Sequence, residues 1–181
     1  MQKVLDGITV IEQGTFITGP AAGMLLADLG AKVIKVEQPQ TGDPFRAFKG
    51  ELYSPHYQTY NRNKYSVTLN TKNEDDLKVF DELIKSADVY IQNFRPGAAD
   101  RLGAGWDRLK ELNPRLIYAA ISGFGQSGPA AGRPASHLRR APDAATGAHR
   151  TSTPRRPPST GLRARRRGCR EGYSSCAGGR R

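Results

Sequence analysis

Three runs, Ile8-Thr9-Val10-Ile11, Ala21 to Leu29, and Lys32-Val33-Ile34-Lys35-Val36, decide the fold of this chain. The first is β-branched throughout and reads as a buried strand. Gly19-Pro20 then opens a small-residue helix, with the proline in the first turn where its missing N–H does no harm, and Gly30 ends it. The third run is a second strand. Strand, helix and strand in such close succession form a βαβ unit, whose two strands must be parallel.

The same alternation continues outward. Gln38 to Pro44 is a loop by its turn residues, and Tyr65-Ser66-Val67-Thr68-Leu69 is a third strand. Asn73 is a good helix cap, followed by Glu74, Asp75 and Asp76, which favour the positive end of the helix dipole. Leu77, Phe80, Leu83 and Ile84 recur at helical spacing. Val89-Tyr90-Ile91 and Leu116 to Ile121 supply the fourth and fifth strands. The expected fold is α/β: a Rossmann-like, mostly parallel sheet, doubly wound and covered on both faces. Such sheets bind ligands at the carboxyl ends of their strands. The loops to inspect are therefore 12–18, 37–46, 70–72, 92–101 and 122–134.

Charge divides the chain of 181 residues, whose net charge is +11, at Pro134. Residues 1–134 hold nine Lys and seven Arg against 15 acids, a balance of +1. Residues 135–181 hold 12 Arg and no Lys, with Asp143 and Glu171 as their only acids. Their larger apolar side chains are Leu138, Leu162 and Tyr173. Ordering a residue costs ~1.5 kcal/mol, and nothing in this segment offsets that, so it is expected to be a disordered Arg/Pro/Gly/Ser-rich tail. Residues 1–134 are expected to form one domain. The charge lies in the tail and not across a folded face, so no nucleic-acid partner is expected for the domain. No apolar run approaches the ~20 residues of a membrane span, and no secretory signal is visible, so a cytoplasmic location is expected. Both cysteines, Cys169 and Cys176, lie in the tail, and His56, His137 and His149 are scattered, so no metal site is expected.

Two phosphate-binding patterns fail on inspection. Gly123-Phe124-Gly125-Gln126-Ser127-Gly128 matches G-x-G-x-x-G, but prolines follow where a helix should begin. Gly14 and Gly19 have the outer spacing of a P-loop, but Pro20-Ala21 replace its Lys-Ser/Thr. The loop still leads into a helix N-terminus, which suits an anion or a polar group. Asn70-Thr71-Lys72 and Asn93-Phe94-Arg95-Pro96-Gly97 each follow a strand, so both project from one edge of the sheet, with Arg101 on a short helix behind them. Arg and Lys suit a phosphate, while an aromatic face with amides suits a purine. Ordinary turn residues and solvated charges would give the same pattern.

The blocks Leu5 to Glu12, Gly19-Pro20, Leu26 to Glu37, Gly42-Asp43, Leu69 to Lys72, Asn93 to Gly97, Asn113 to Tyr118 and Ser122 to Pro129 run in one order. In that order they resemble family III CoA-transferases, the CaiB/BaiF group that includes formyl-CoA transferase, carnitine CoA-transferase and α-methylacyl-CoA racemase. The resemblance runs from residue 4 to about 134. It implies a Rossmann-like domain that binds coenzyme A as the acyl-CoA substrate, a small carboxylic acid as second substrate, and an interlocked homodimer in the intact member. It places CoA contacts at Ile17 and Thr18, at Gln38, at Leu69, Asn70, Thr71 and Lys72, at Asn93, Phe94 and Arg95, and at Arg101. Gln38 stands where formyl-CoA transferase has an arginine. The implied reaction moves CoA from an acyl-CoA to a carboxylic acid through an aspartyl-CoA intermediate. That aspartate falls beyond residue 134, where no motif matches, so no catalytic residue is assigned.

The change from mixed Lys and Arg to Arg alone fits GC-rich codons read out of frame. The expectation is a frameshift near Pro134 and a truncated, inactive transferase. The alternatives are a non-catalytic CoA-binding fragment whose basic tail binds nucleic acid or anionic surfaces, and a racemase-like isomerase. Leu69 to Lys72 and Asn93-Phe94 favour the transferases over the racemases.

Overall fold

The five runs read as strands are strands: β1 (Thr9–Glu12), β2 (Lys32–Glu37), β3 (Lys64–Thr68), β4 (Val89–Gln92) and β5 (Ile117–Ala120). The computed structural model describes residues 3–50 and 54–133; the tail expected over 135–181 lies outside them. Helices α1 (Thr18–Asp28), α2 (Pro55–Asn61), α3 (Glu74–Lys85), α4 (Ala98–Arg101) and α5 (Trp106–Leu112) join the strands, with a 3-10 helix over Pro44–Gly50.

All pairings are parallel, in the order β3-β2-β1-β4-β5. The chain therefore winds from β1 through β2 to β3 on one side, then crosses to β4 and β5 on the other. The switch point, where a ligand crevice opens, lies between β1 and β4.

Successive side chains point to opposite faces. Val10 and Val33 pack with Ala27 of α1 on one face, while Ile11 and Tyr90 pack with Phe80, Ile84 and Leu109 of α3 and α5 on the other. Coverage stops short of the edge strands: Tyr65 on β3 is 64% exposed and Ile117 on β5 is 60% exposed. The expectation of full coverage thus holds only for the central strands, because the helices sit over the middle of the sheet.

Asn73 caps α3 as expected, its side chain accepting from the Asp75 amide at 2.9 Å. The loop read over Gln38 to Pro44 gives way at Pro44 to the 3-10 helix, and α2 follows in a stretch to which the sequence assigned no element. The 3-10 helix and α2 are tied together by Ser54, which donates to the Phe45 carbonyl at 2.5 Å and accepts from the Tyr57 amide at 3.1 Å. These short elements bury few side chains each and carry no clear period, so only their tertiary contacts define them.

Candidate functional site

The loop between β1 and α1 enters the switch point, and it closes on itself. A Cβ placed on either Gly14 or Gly19 would stand 2.9 Å from the other's Cα, so both positions need glycine for this approach. This explains the P-loop-like spacing without a P-loop. Phe16, between them, holds a left-handed φ of 60°, unusual for a residue with a side chain. Ile17 occupies the cap position of α1 and no side chain caps the helix, which opens with Thr18.

Beneath this loop lies a buried ionic network. Glu12 and Lys35 are register partners on β1 and β2 and both are fully buried. The Lys35 ammonium donates to Glu12 Oε1 and to the Gly14 carbonyl, both at 2.9 Å, and stands 3.0 Å from Asp43 Oδ2. The other Glu12 oxygen accepts from Lys64 at 2.6 Å. Two cations and two anions thus cancel. Burial pulls the Lys64 ammonium below the ordinary lysine value, and the Glu12 charge beside it offsets part of that.

A second network sits at the end of β2. Glu37 accepts from the Asp43 amide at 2.9 Å, from Arg46 Nε at 2.7 Å, from Tyr57 at 3.0 Å and from Ser66 at 2.8 Å. Burial pushes its carboxyl up, but the bonds from Arg46, Ser66 and the Asp43 amide outweigh this and take its pKa down to about 2. Burial raises the Tyr57 hydroxyl, helped by the Glu37 charge. An acid near this place reads the ribose in dinucleotide-binding sheets. Here its oxygens are occupied internally, which leaves Gln38, the next residue, exposed toward the ligand side.

Two cavities open along the carboxyl edge. One, about 160 Å³, is lined by Gly14, Thr15, Gln38, Thr41 and Phe94. Its neighbour, about 500 Å³, lies between Arg95, Trp106, Tyr118 and Gln126. Burial pushes the Tyr118 hydroxyl up to about 12, so it stays protonated and donates to the Ala104 carbonyl at 2.9 Å. No helix begins between Gly128 and Arg133, which leaves the G-x-G-x-x-G match as a turn-rich loop.

The residues singled out from sequence all reach this edge, but not one point on it. Ile17, Thr18, Gln38, Asn93 and Phe94 surround the switch point. Leu69 and Thr71 are buried in the turn after β3, whereas Asn70 and Lys72 are exposed. Because β2 and β1 intervene between β3 and β4, that turn stands about 14 Å from Asn93 at ordinary strand spacing. Arg101 turns back along α4 toward Gly97, and neither it nor Lys72 nor Arg95 makes an ion pair among the described residues. Asn93 uses its amide on the chain itself. It accepts from the Thr15 amide at 2.8 Å and donates to the Thr15 carbonyl at 2.7 Å and to Thr18 Oγ1 at 3.0 Å.

Sequence reasoning passed over Lys35 and Asp43. The available signal was a lysine between Ile34 and Val36 in an interior strand of the sheet, a place where charge must be paired. Among the described residues no group of three His, Cys, Asp or Glu is placed to hold a metal, and no helix is long and apolar enough to cross a membrane.

Residues 5–162 match the model of CoA-transferase family III, so the match runs past the composition break at Pro134. The acetyl-CoA:oxalate CoA-transferase of Acetobacter aceti is 46% identical over 132 residues, covering 72% of this chain and 34% of that protein. The formyl-CoA:oxalate CoA-transferase of Streptomyces avermitilis is 47% identical over 128 residues, covering 69% of this chain and 31% of that protein. A CAIB/BAIF family protein from Brucella suis has the same fold, with a TM-score of 0.70 at 39% identity over 74% of this chain and 37% of its own. The chain spans about a third of the length of the curated relatives it matches.

Proposed function

The chain belongs to CoA-transferase family III, and from that premise we propose that its carboxyl edge binds the CoA portion of an acyl-CoA whose thioester is exchanged onto a small carboxylic acid. One observation carries this reading. Cations that make no ion pair among the described residues stand at both ends of one edge, Lys72 after β3 and Arg95 and Arg101 after β4, about 14 Å apart at ordinary strand spacing, which suits an elongated ligand better than a compact phosphate. Lys72 and Arg101 would meet phosphates, Phe94 offers an aromatic face, Gln38 lines the smaller cavity beside it, and Ile17 and Thr18 would contribute from the start of α1. Leu69, Asn70 and Thr71 shape the turn that presents Lys72, and Arg95 faces the larger neighbouring cavity.

In the reaction, an enzyme carboxylate attacks the donor thioester and expels CoA as the thiolate, which attacks the enzyme-side carbonyl of the mixed anhydride and releases the donor acid. The acceptor carboxylate then attacks this enzyme thioester, and the expelled thiolate attacks the acceptor-side carbonyl of the second anhydride, giving the new acyl-CoA and the free enzyme carboxylate. The described residues supply binding, and none of them is assigned as the nucleophile. The interlocked dimer belongs to this proposal, as does the cytoplasmic location.

Titration calorimetry of the full chain with CoA tests the reading. Binding that weakens about tenfold in both Lys72→Ala and Arg101→Ala, as expected for loss of a charged hydrogen bond, supports it. No binding, or binding indifferent to both changes, overturns it. An assay with acetyl-CoA and oxalate then asks whether transfer accompanies binding. Sequencing genomic DNA across the Pro134 codon tests the proposed frameshift separately. An alternate frame encoding a long continuation supports it, and a clean present frame refutes it.

A further inference from the structure

Four consecutive backbone groups of the β1–α1 loop are each held by a side chain from a distant part of the chain. The Gly14 carbonyl accepts from Lys35, the Thr15 amide and carbonyl both bond to Asn93, and the Phe16 amide donates to Asp43 Oδ1 at 3.1 Å. The partners come from β2, from the turn after β2 and from the turn after β4, between 21 and 78 residues away in sequence. Phe16 adopts a left-handed φ of 60°, and a bulky residue stays there only when its surroundings over-determine it.

We infer that Lys35, Asp43 and Asn93 are positioning residues that hold the Gly14–Thr18 loop in its binding conformation before ligand arrives. The inference rests on the CoA reading above and deepens it. Lys35 and Asp43 are each 1% exposed; Lys35 borders neither cavity, and Asp43, which borders the smaller one, has Oδ1 on the Phe16 amide and Oδ2 on Lys35, so their effect on affinity passes through the loop. Asn93 is half-buried with both amide groups spent on Thr15 and Thr18, which separates it from Lys72 and Arg101. A loop already ordered does not have to be ordered by the ligand, so affinity is gained without any new contact.

The test pairs amide hydrogen exchange of the free full-length chain with calorimetric CoA binding, in Asn93→Ala and Asp43→Asn. Asn93→Ala removes three hydrogen bonds without leaving a buried charge. Asp43→Asn keeps an acceptor for the Phe16 amide but loosens Lys35. The expected result is that Thr15 and Phe16 exchange at least tenfold faster while Val10 and Ile11 in β1 are unchanged, and that CoA binds about tenfold more weakly. A weaker CoA affinity with unchanged exchange would mean that Asn93 contacts CoA directly, and the inference fails. Faster exchange with unchanged affinity also overturns it. If the unsubstituted chain binds no CoA, the functional reading falls and takes the ligand half of this inference with it, whereas exchange still judges the clamp.

Discussion

Replacing Lys35 with methionine tests the largest energetic claim of this structure. The substitution keeps the length and apolar stem of the side chain and removes only its charge. It strips three contacts at once: Glu12 Oε1 and the Gly14 carbonyl at 2.9 Å, and Asp43 Oδ2 at 3.0 Å. Glu12 keeps Lys64 at 2.6 Å, but Asp43 is left without a cation, and the buried cluster changes from neutral to one net negative charge. Breaking a buried ion pair from one side costs about 3–5 kcal/mol, a large part of the 5–15 kcal/mol by which a domain is stable. For a domain of this size that corresponds to a loss of roughly 10–20 °C in Tm. Urea unfolding, followed by the fluorescence of Trp106 against Tyr118 and by far-ultraviolet circular dichroism, measures it. Lys78→Met is the control, because its pair with Asp75 is mostly exposed and should change stability by less than about 0.5 kcal/mol. A Lys35→Met chain within about 1 kcal/mol of the unsubstituted one would refute the reasoning.

Three further outcomes follow from the same geometry. Glu37 has a folded pKa near 2, below its unfolded value, so its contribution is present above about pH 4.5 and is lost as pH falls toward 2. Glu37→Gln should remove that part of the acid sensitivity of unfolding, and an unchanged pH profile would count against the network. Gly19→Ala should destabilise by about 1–3 kcal/mol, read as a lower urea midpoint, since its methyl group would meet the Gly14 backbone. Gln38→Arg, at an exposed position lining the switch-point cavity, should tighten CoA binding about tenfold by adding a charged hydrogen bond, and calorimetry showing no gain would remove Gln38 from the site.

Sequence alone determined the parallel α/β architecture. The β-branched runs, the Gly19-Pro20 helix start, the Gly30 stop and the Asn73 cap are local signals, each acting within a turn or two of backbone. It also placed every candidate contact on the carboxyl edge, because the end of each strand at which a loop emerges follows from parallel winding alone. Strand order and register were decided only in three dimensions. The order β3-β2-β1-β4-β5 sets Lys72 apart from Asn93 and leaves Phe94 beside Gln38. Register brings Glu12 opposite Lys35, and the fold carries Asp43 to Phe16 and Asn93 to Thr15 across 27 and 78 residues of chain. No local pattern encodes such meetings. A buried charge finds its counter-charge, and a loop amide its acceptor, only once the strands between them have been laid side by side.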